Sequence, residues 1–191
     1  MTSMLPTPRL FVSAPALLFT ALIALFLAAA PARAASAAEI DREVDRALEA
    51  FRKIDGANAF LGIAKGVLVF PKVYKAGIGV GGEYGEGALR VGGKTVDYYS
   101  TAAASIGFQL GAQAKRIVVI FTEESALMKF RQSEGWRVGV DGSVALVDIG
   151  IGKAVDTTNI RDPVIGFIFG QKGLMYNLTL EGSKFTKLDK Q

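Results

Sequence analysis

Residues 64–93 read AKGVLVFPKVYKAGIGVGGEYGEGALRVGG, a run in which glycine interrupts Val, Ile, Leu and Tyr every few positions. Glycine at this density cannot sustain a helix, because each costs about 1 kcal/mol against alanine in a helix interior. The same residues suit strands, bulges and places where one backbone must come close to another. The chain also contains no histidine and no cysteine. That removes Ser-His-Asp triads, thiolate nucleophiles, disulfides and ordinary zinc sites. Chemistry is left to Asp, Glu, Lys, Arg, Tyr, Ser and Thr, and no cofactor is expected.

The N-terminus has the pattern of an export signal rather than of a folded element. Arg9 is followed by an apolar run over 17–30, then by the small residues Ala32-Arg33-Ala34 and Ala35-Ser36-Ala37. This pattern predicts a signal peptide over 1–34, cut after Ala34 or Ala37. The apolar core is shorter than the roughly 20 residues that span a bilayer. A single domain over 35–191 would follow, in the periplasm or secreted, with peripheral association at a membrane compatible with either. The whole chain carries 22 Lys+Arg against 18 Asp+Glu. Without Arg9 and Arg33 the balance is nearly even, which gives no general case for nucleic acid.

Within that domain, Ile40, Val44, Ala47, Leu48, Phe51 and Ile54 recur at three- and four-residue spacing, which predicts an amphipathic helix over 39–54. Strands are predicted over 66–70 (ended by Pro71), 73–80, 88–91, 95–99, 105–113 and 117–121, with Lys115-Arg116 at a turn. Gly92-Gly93-Lys94 and Asp141-Gly142 read as hairpin turns, the latter joining 136–140 to 143–149. Thr122 is placed as cap of a helix over 123–131. A polar loop over 156–163 and closing strands over 164–169, 174–180 and 184–188 complete the chain. A faint echo between 106–124 and 165–182 is attributed to similar hairpins. The fold class is α+β: a predominantly antiparallel sheet of about eight short strands, sandwich or barrel-like, with the N-terminal helix and one or two further short helices.

Gly77-Ile78-Gly79-Val80-Gly81-Gly82 matches the letters of a dinucleotide motif, but Gly85 and Gly87 follow where a helix should open, so no nucleotide is expected. Asp156-Thr157-Thr158-Asn159 is oxygen-rich without the spacing of a known calcium loop. The lysines carry more information. Lys65, Lys72 and Lys75 bracket an apolar strand, with Tyr74 between two of them, and Arg116 follows Lys115. Ammonium groups beside an interfacial ring suit a phosphate headgroup. They equally suit a strand edge guarded against aggregation.

Several segments together resemble the SYLF domain. They are 64–71, the glycine-rich 77–87, Ser105-Ile106-Gly107-Phe108-Gln109-Leu110-Gly111-Ala112-Gln113, the Gly139-Val140-Asp141-Gly142-Ser143-Val144 turn, and Lys172-Gly173-Leu174 with Leu180-Glu181-Gly182. The resemblance runs from about Ala47 to the C-terminus. It implies phospholipid-headgroup binding without catalysis: phosphoinositides in eukaryotic members, which also bind actin, and other anionic phospholipids in bacterial ones. The expected function is therefore an exported binder of anionic phospholipid or a membrane surface, using Lys65, Lys72, Tyr74, Lys75 and Arg116. The alternatives are an envelope protein that pairs with a protein partner through exposed strand edges, and a hydrolase using scattered carboxylates.

Overall fold

A computed structural model describes residues 35–148, 162–173, 180 and 182–190. The expected signal peptide, the loop over 156–161 with its calcium reading, and the strand over 174–179 lie outside the described residues. Helix α1 (Ala37–Arg52) begins at the cap Ser36, whose hydroxyl accepts from the Glu39 N–H at 3.3 Å, and it buries Ile40, Val44, Ala47, Leu48 and Phe51. These are the side chains that the spacing selected, all but Ile54, which lies just past the helix end. A further short helix, α2 (Ala57–Ile63), follows the left-handed Gly56 and buries Ala57 and Phe60. No periodic pattern announced it, since seven residues are too few to show one.

The sheet is built on two unusually long strands, β1 (Gly66–Val91) and β2 (Lys94–Phe121), joined by a tight turn at Gly92 and Gly93. They pair antiparallel along their whole length as a ribbon. Six separately expected strands are thus two continuous ones. Pro71 does not end β1: the register shifts between Phe70 and Val73, so the missing N–H falls in an irregularity of the ladder. Lys115 and Arg116 do not turn the chain either, because β2 runs through them. The glycine motif at 77–82 lies inside β1, with no helix after it, which removes the nucleotide-binding geometry.

After β2 come helix α3 (Glu124–Gln132) and strands β3 (Gly135–Arg137), β4 (Ala145–Asp148), β5 (Val164–Gly173) and β6 (Lys184–Leu188). Glu123, not Thr122, occupies the α3 cap position, and the Thr122 hydroxyl donates to the Asp162 carbonyl instead. The free side of β2 is shared. Its second half pairs with β5 and its first half with β6, both antiparallel. β4 adds to β5 in parallel, and β3 adds to β6. The Asp141-Gly142 turn exists, held by the Asp141 carboxylate accepting from the Arg137 N–H at 2.6 Å, but it joins strands that pair elsewhere. The described residues therefore form an α+β fold with a curled, mostly antiparallel six-stranded sheet and three helices.

The ribbon folds back on itself near Gly77–Gly81, where Ile78 pairs with Leu110 but Val80 with Ile106, so 107–109 bulge on the β2 side. The two halves of β1 then face each other with no side chain between them. A Cβ on Gly85 would lie 2.6 Å from the Lys72 carbonyl oxygen, and one on Gly87 would enter the shell of the Val69 carbonyl. Strand alternation divides the core in two. The inner face of the curl carries Leu68, Phe70, Leu89, Ile117, Phe121 and Tyr99, closed by Phe130 of α3. The outer face carries Val69, Val118, Ile120 and Phe167, covered by α1 and α2 through Phe51 and Phe60. Each large side chain so buried contributes about 1.5–3 kcal/mol.

Tyr99 lies in the inner core, 1% exposed, and among the described residues its hydroxyl has no hydrogen-bond partner. Burial first, and then the nearby Asp97 carboxylate, push its ionisation up to about 12. The unfolded chain releases this proton near pH 10. Stability is therefore full below pH 10 and falls as pH rises from 10 to 12, by on the order of 2 kcal/mol. Urea midpoints measured at pH 9 and 11.5 should show that drop. Tyr99→Phe should lessen it without loss at pH 7, since no hydrogen bond is removed, and the remainder belongs to Tyr84 and Tyr98, whose ionisation burial and neighbouring carboxylates also push up.

Candidate functional site

On β1 exposure alternates: Lys72 and Tyr74 are exposed, Val73 and Lys75 are buried. Lys72 and Tyr74 therefore share the outer face, the one α1 and α2 cover further along. On β2, Ala114 and Arg116 lie on that same face, in phase with Val118 and Ile120. The register sets Tyr74 and Lys172 on either side of Ala114, and Arg116 beside Phe169. With neighbouring strands about 4.8 Å apart, Tyr74 and Lys172 flank a small-residue saddle about 10 Å wide. Gly170 has a positive φ of 64°, and a Cβ there would lie 2.8 Å from an Arg116 guanidinium nitrogen. The bulge it makes leaves room for Arg116, whose guanidinium carbon stands 5.9 Å from the centroid of the Phe169 ring.

Three cations and one ring thus stand on three adjacent strands, beyond the edge of α1. Tyr74 is 60% exposed. The band is tempered from one side. Glu43 of α1 reaches Lys72 at 3.1 Å and Arg46 at 2.9 Å. The Lys72 hydrogen bond is the main reason that the Glu43 carboxyl is held below the usual carboxylate range, with both cations adding attraction against a partly opposing desolvation.

The five expected residues do not all meet. Lys72, Tyr74 and Arg116 come together. Lys65 stands apart at the start of β1, exposed, with its N–H donating to the Phe121 carbonyl at 2.8 Å. It lines a cleft beside α1 instead. Lys75 faces the interior of the curl, 5% exposed, directly across from Gln113. Counting by twos from Lys72 separates Lys75 from Lys72 and Tyr74 without any structure. Lys172 joins the band although its distance along the chain from Lys72, Tyr74 and Arg116 gave no signal; only the pairing of β5 with β2 brings it there.

The inner face near Lys75 holds a second polar group. Lys115, with its side chain 1% exposed, pairs with Glu83 at 2.9 Å across the folded ribbon. Gln113 and Thr101 lie buried on the same strand. Other carboxylates are likewise engaged: Asp97 by Arg131 and Lys187, Glu86 by Lys190, and Asp41 by Arg90, Thr95 and Tyr98. Among the described residues, no three His, Cys, Asp or Glu side chains gather as a metal site.

Residues 102–191 match the family Ysc84, described as Las17-binding protein actin regulator. The match opens inside β2 and runs through the bulge, α3 and strands β3 to β6, so it includes Arg116 and Lys172. No curated protein gives a match to the chain. The matched segment contains 105–113, the 139–144 turn and Lys172-Gly173, three of the segments that carried the resemblance. Over residues 102–191 the chain is thus similar to the Ysc84, or SYLF, domain family, consistent with the resemblance drawn from its motifs.

Proposed function

We propose that the domain is an exported, non-enzymatic binder of anionic phospholipid, and that Lys72, Tyr74, Arg116 and Lys172 form the headgroup face. The observation that carries this reading is their convergence on one exposed face of three paired strands. A lysine near an anionic membrane surface contributes about 1 kcal/mol, and a tyrosine ring settles at headgroup level. Binding of this kind is reversible and weakens with salt. The engagement of Glu83, Glu86, Asp97 and Asp41 in structural pairs speaks against a carboxylate hydrolase. Export rests on the sequence pattern of 1–34. Cleavage after Ala34 would keep the Ser36 cap of α1, whereas cleavage after Ala37 would remove it.

Sedimentation with vesicles of phosphatidylglycerol in phosphatidylcholine tests the face. Lys72→Glu with Lys172→Glu should lower association at least about 10-fold, since two favourable charges become two unfavourable ones. Circular dichroism should stay unchanged, because both side chains are exposed. Glu43→Gln should strengthen association, because it releases Lys72 from its partner. In the unsubstituted protein the same gain should come only at pH below the ordinary carboxylate range, as Glu43 finally takes up a proton. Vesicle binding that ignores the double substitution overturns the reading.

A further inference from the structure

Lys65 belongs to a different feature, a cleft of about 460 Å³ between α1, the end of α2 and the Gly92-Gly93 turn. That volume lies in the range of small-molecule sites. Its apolar part is Leu48, Leu61, Ala64 and Val67, which pack on the outer core. Its rim is charged with both signs: Asp45, Glu49 and Arg52 from α1, Lys65 and Arg90 from the strand side. Asp45 is taken by Arg90 at 2.8 Å. Among the described residues, Glu49, Arg52 and Lys65 form no ion pair, although Glu49 and Arg52 stand one helical turn apart.

Arg90 is held in place. Its terminal nitrogens donate to Asp45, to the Asp41 carbonyl at 3.4 Å and to the Gly93 carbonyl at 3.5 Å. Gly92 and Gly93 leave open space at the mouth: a Cβ on either would meet nothing within 4 Å.

From this geometry we infer that the cleft binds a small zwitterion bearing a phosphate and a primary amine a few bonds apart. Lys65 and Arg52 supply donors from two separate side chains, beside the Arg90 guanidinium, which suits the several oxygens of a phosphate. Glu49 is the acceptor left for the ammonium. Leu48, Leu61 and Val67 take the short methylene link. This site is separate from the headgroup face and stands whether or not that face binds lipid.

Calorimetry with O-phosphoethanolamine, inorganic phosphate and ethanolamine tests it on the full domain. O-phosphoethanolamine should bind at least about 10-fold more tightly than either half, as one added charged hydrogen bond implies. Glu49→Gln should reduce it to the affinity of phosphate, and Lys65→Gln with Arg52→Gln should remove phosphate binding. All three positions are exposed, so the variants should keep the native circular dichroism. A parallel comparison uses vesicles of phosphatidylethanolamine and of phosphatidylcholine, whose quaternary amine cannot donate to Glu49. Glu49-dependent preference in the soluble arm identifies a free ligand; in the vesicle arm it identifies a lipid headgroup. Lys72→Glu with Lys172→Glu should leave the preference intact in either arm. If neither arm prefers the primary amine, or if the preference survives Glu49→Gln, the inference is overturned.

Discussion

Gly87→Ala should lower the melting temperature by about 6–12 °C, the equivalent of a loss of about 3 kcal/mol in a domain of this size. The added methyl would enter the shell of the Val69 carbonyl oxygen and lie 2.8 Å from the Phe70 ring. Neither neighbour can rotate away cheaply, because one is backbone and the other a core ring that is fully buried. The two halves of β1 must therefore separate, which loosens the fold-back of the whole ribbon. Gly82→Ala is the control. It lies in the same glycine-rich run, but its Cβ would meet nothing within 4 Å. Its melting temperature should change little, or rise slightly as the unfolded chain loses freedom. Calorimetric scans of the two variants side by side check the account. Equal losses would mean that glycine content in the strand matters, and close approach does not.

The second large effect is expected at the buried ion pair. Lys115→Met removes the cation beside Glu83, whose side chain is only 6% exposed, and leaves a carboxylate in the core with one oxygen already unpartnered. Breaking such a pair from one side costs about 3–5 kcal/mol. Lys115→Met with Glu83→Leu removes both charges, and most of that loss should return. Replacing a whole buried pair by apolar side chains is often neutral or better. Denaturant unfolding of the two single variants and the double variant gives the coupling between them directly. A double variant no more stable than Lys115→Met alone would show that the pair is not what links the two halves of the ribbon there.

The elements read most easily from sequence were those fixed by local physics. The stripe of Ile40, Val44, Ala47, Leu48 and Phe51 gave α1, because a helix buries what recurs every three or four residues. Gly92-Gly93 gave the turn of the ribbon, because both residues need positive φ. β6 falls on the residues expected for it. Pro71 and Lys115-Arg116 misled for a physical reason. A strand long enough to cross the whole molecule passes through proline at a bulge, and it can bury a lysine when a partner waits on the far side. At the candidate site, the expected set grouped Lys75 with Lys72 and Tyr74, although period-two alternation along β1 puts Lys75 on the opposite face. Nothing local joined Arg116 to Lys172 or Glu83 to Lys115.

The sequence by itself determined the fold class, the ribbon's turn, the helix that covers the outer face and the absence of thiol and imidazole chemistry. These follow from propensity, periodicity and composition, which act over a few residues. Only the tertiary structure decided where the ribbon folds back, which cations share a face, which one is buried and which lines the α1 cleft. Those outcomes depend on strand register and on contacts between residues tens of positions apart, and no local pattern encodes them.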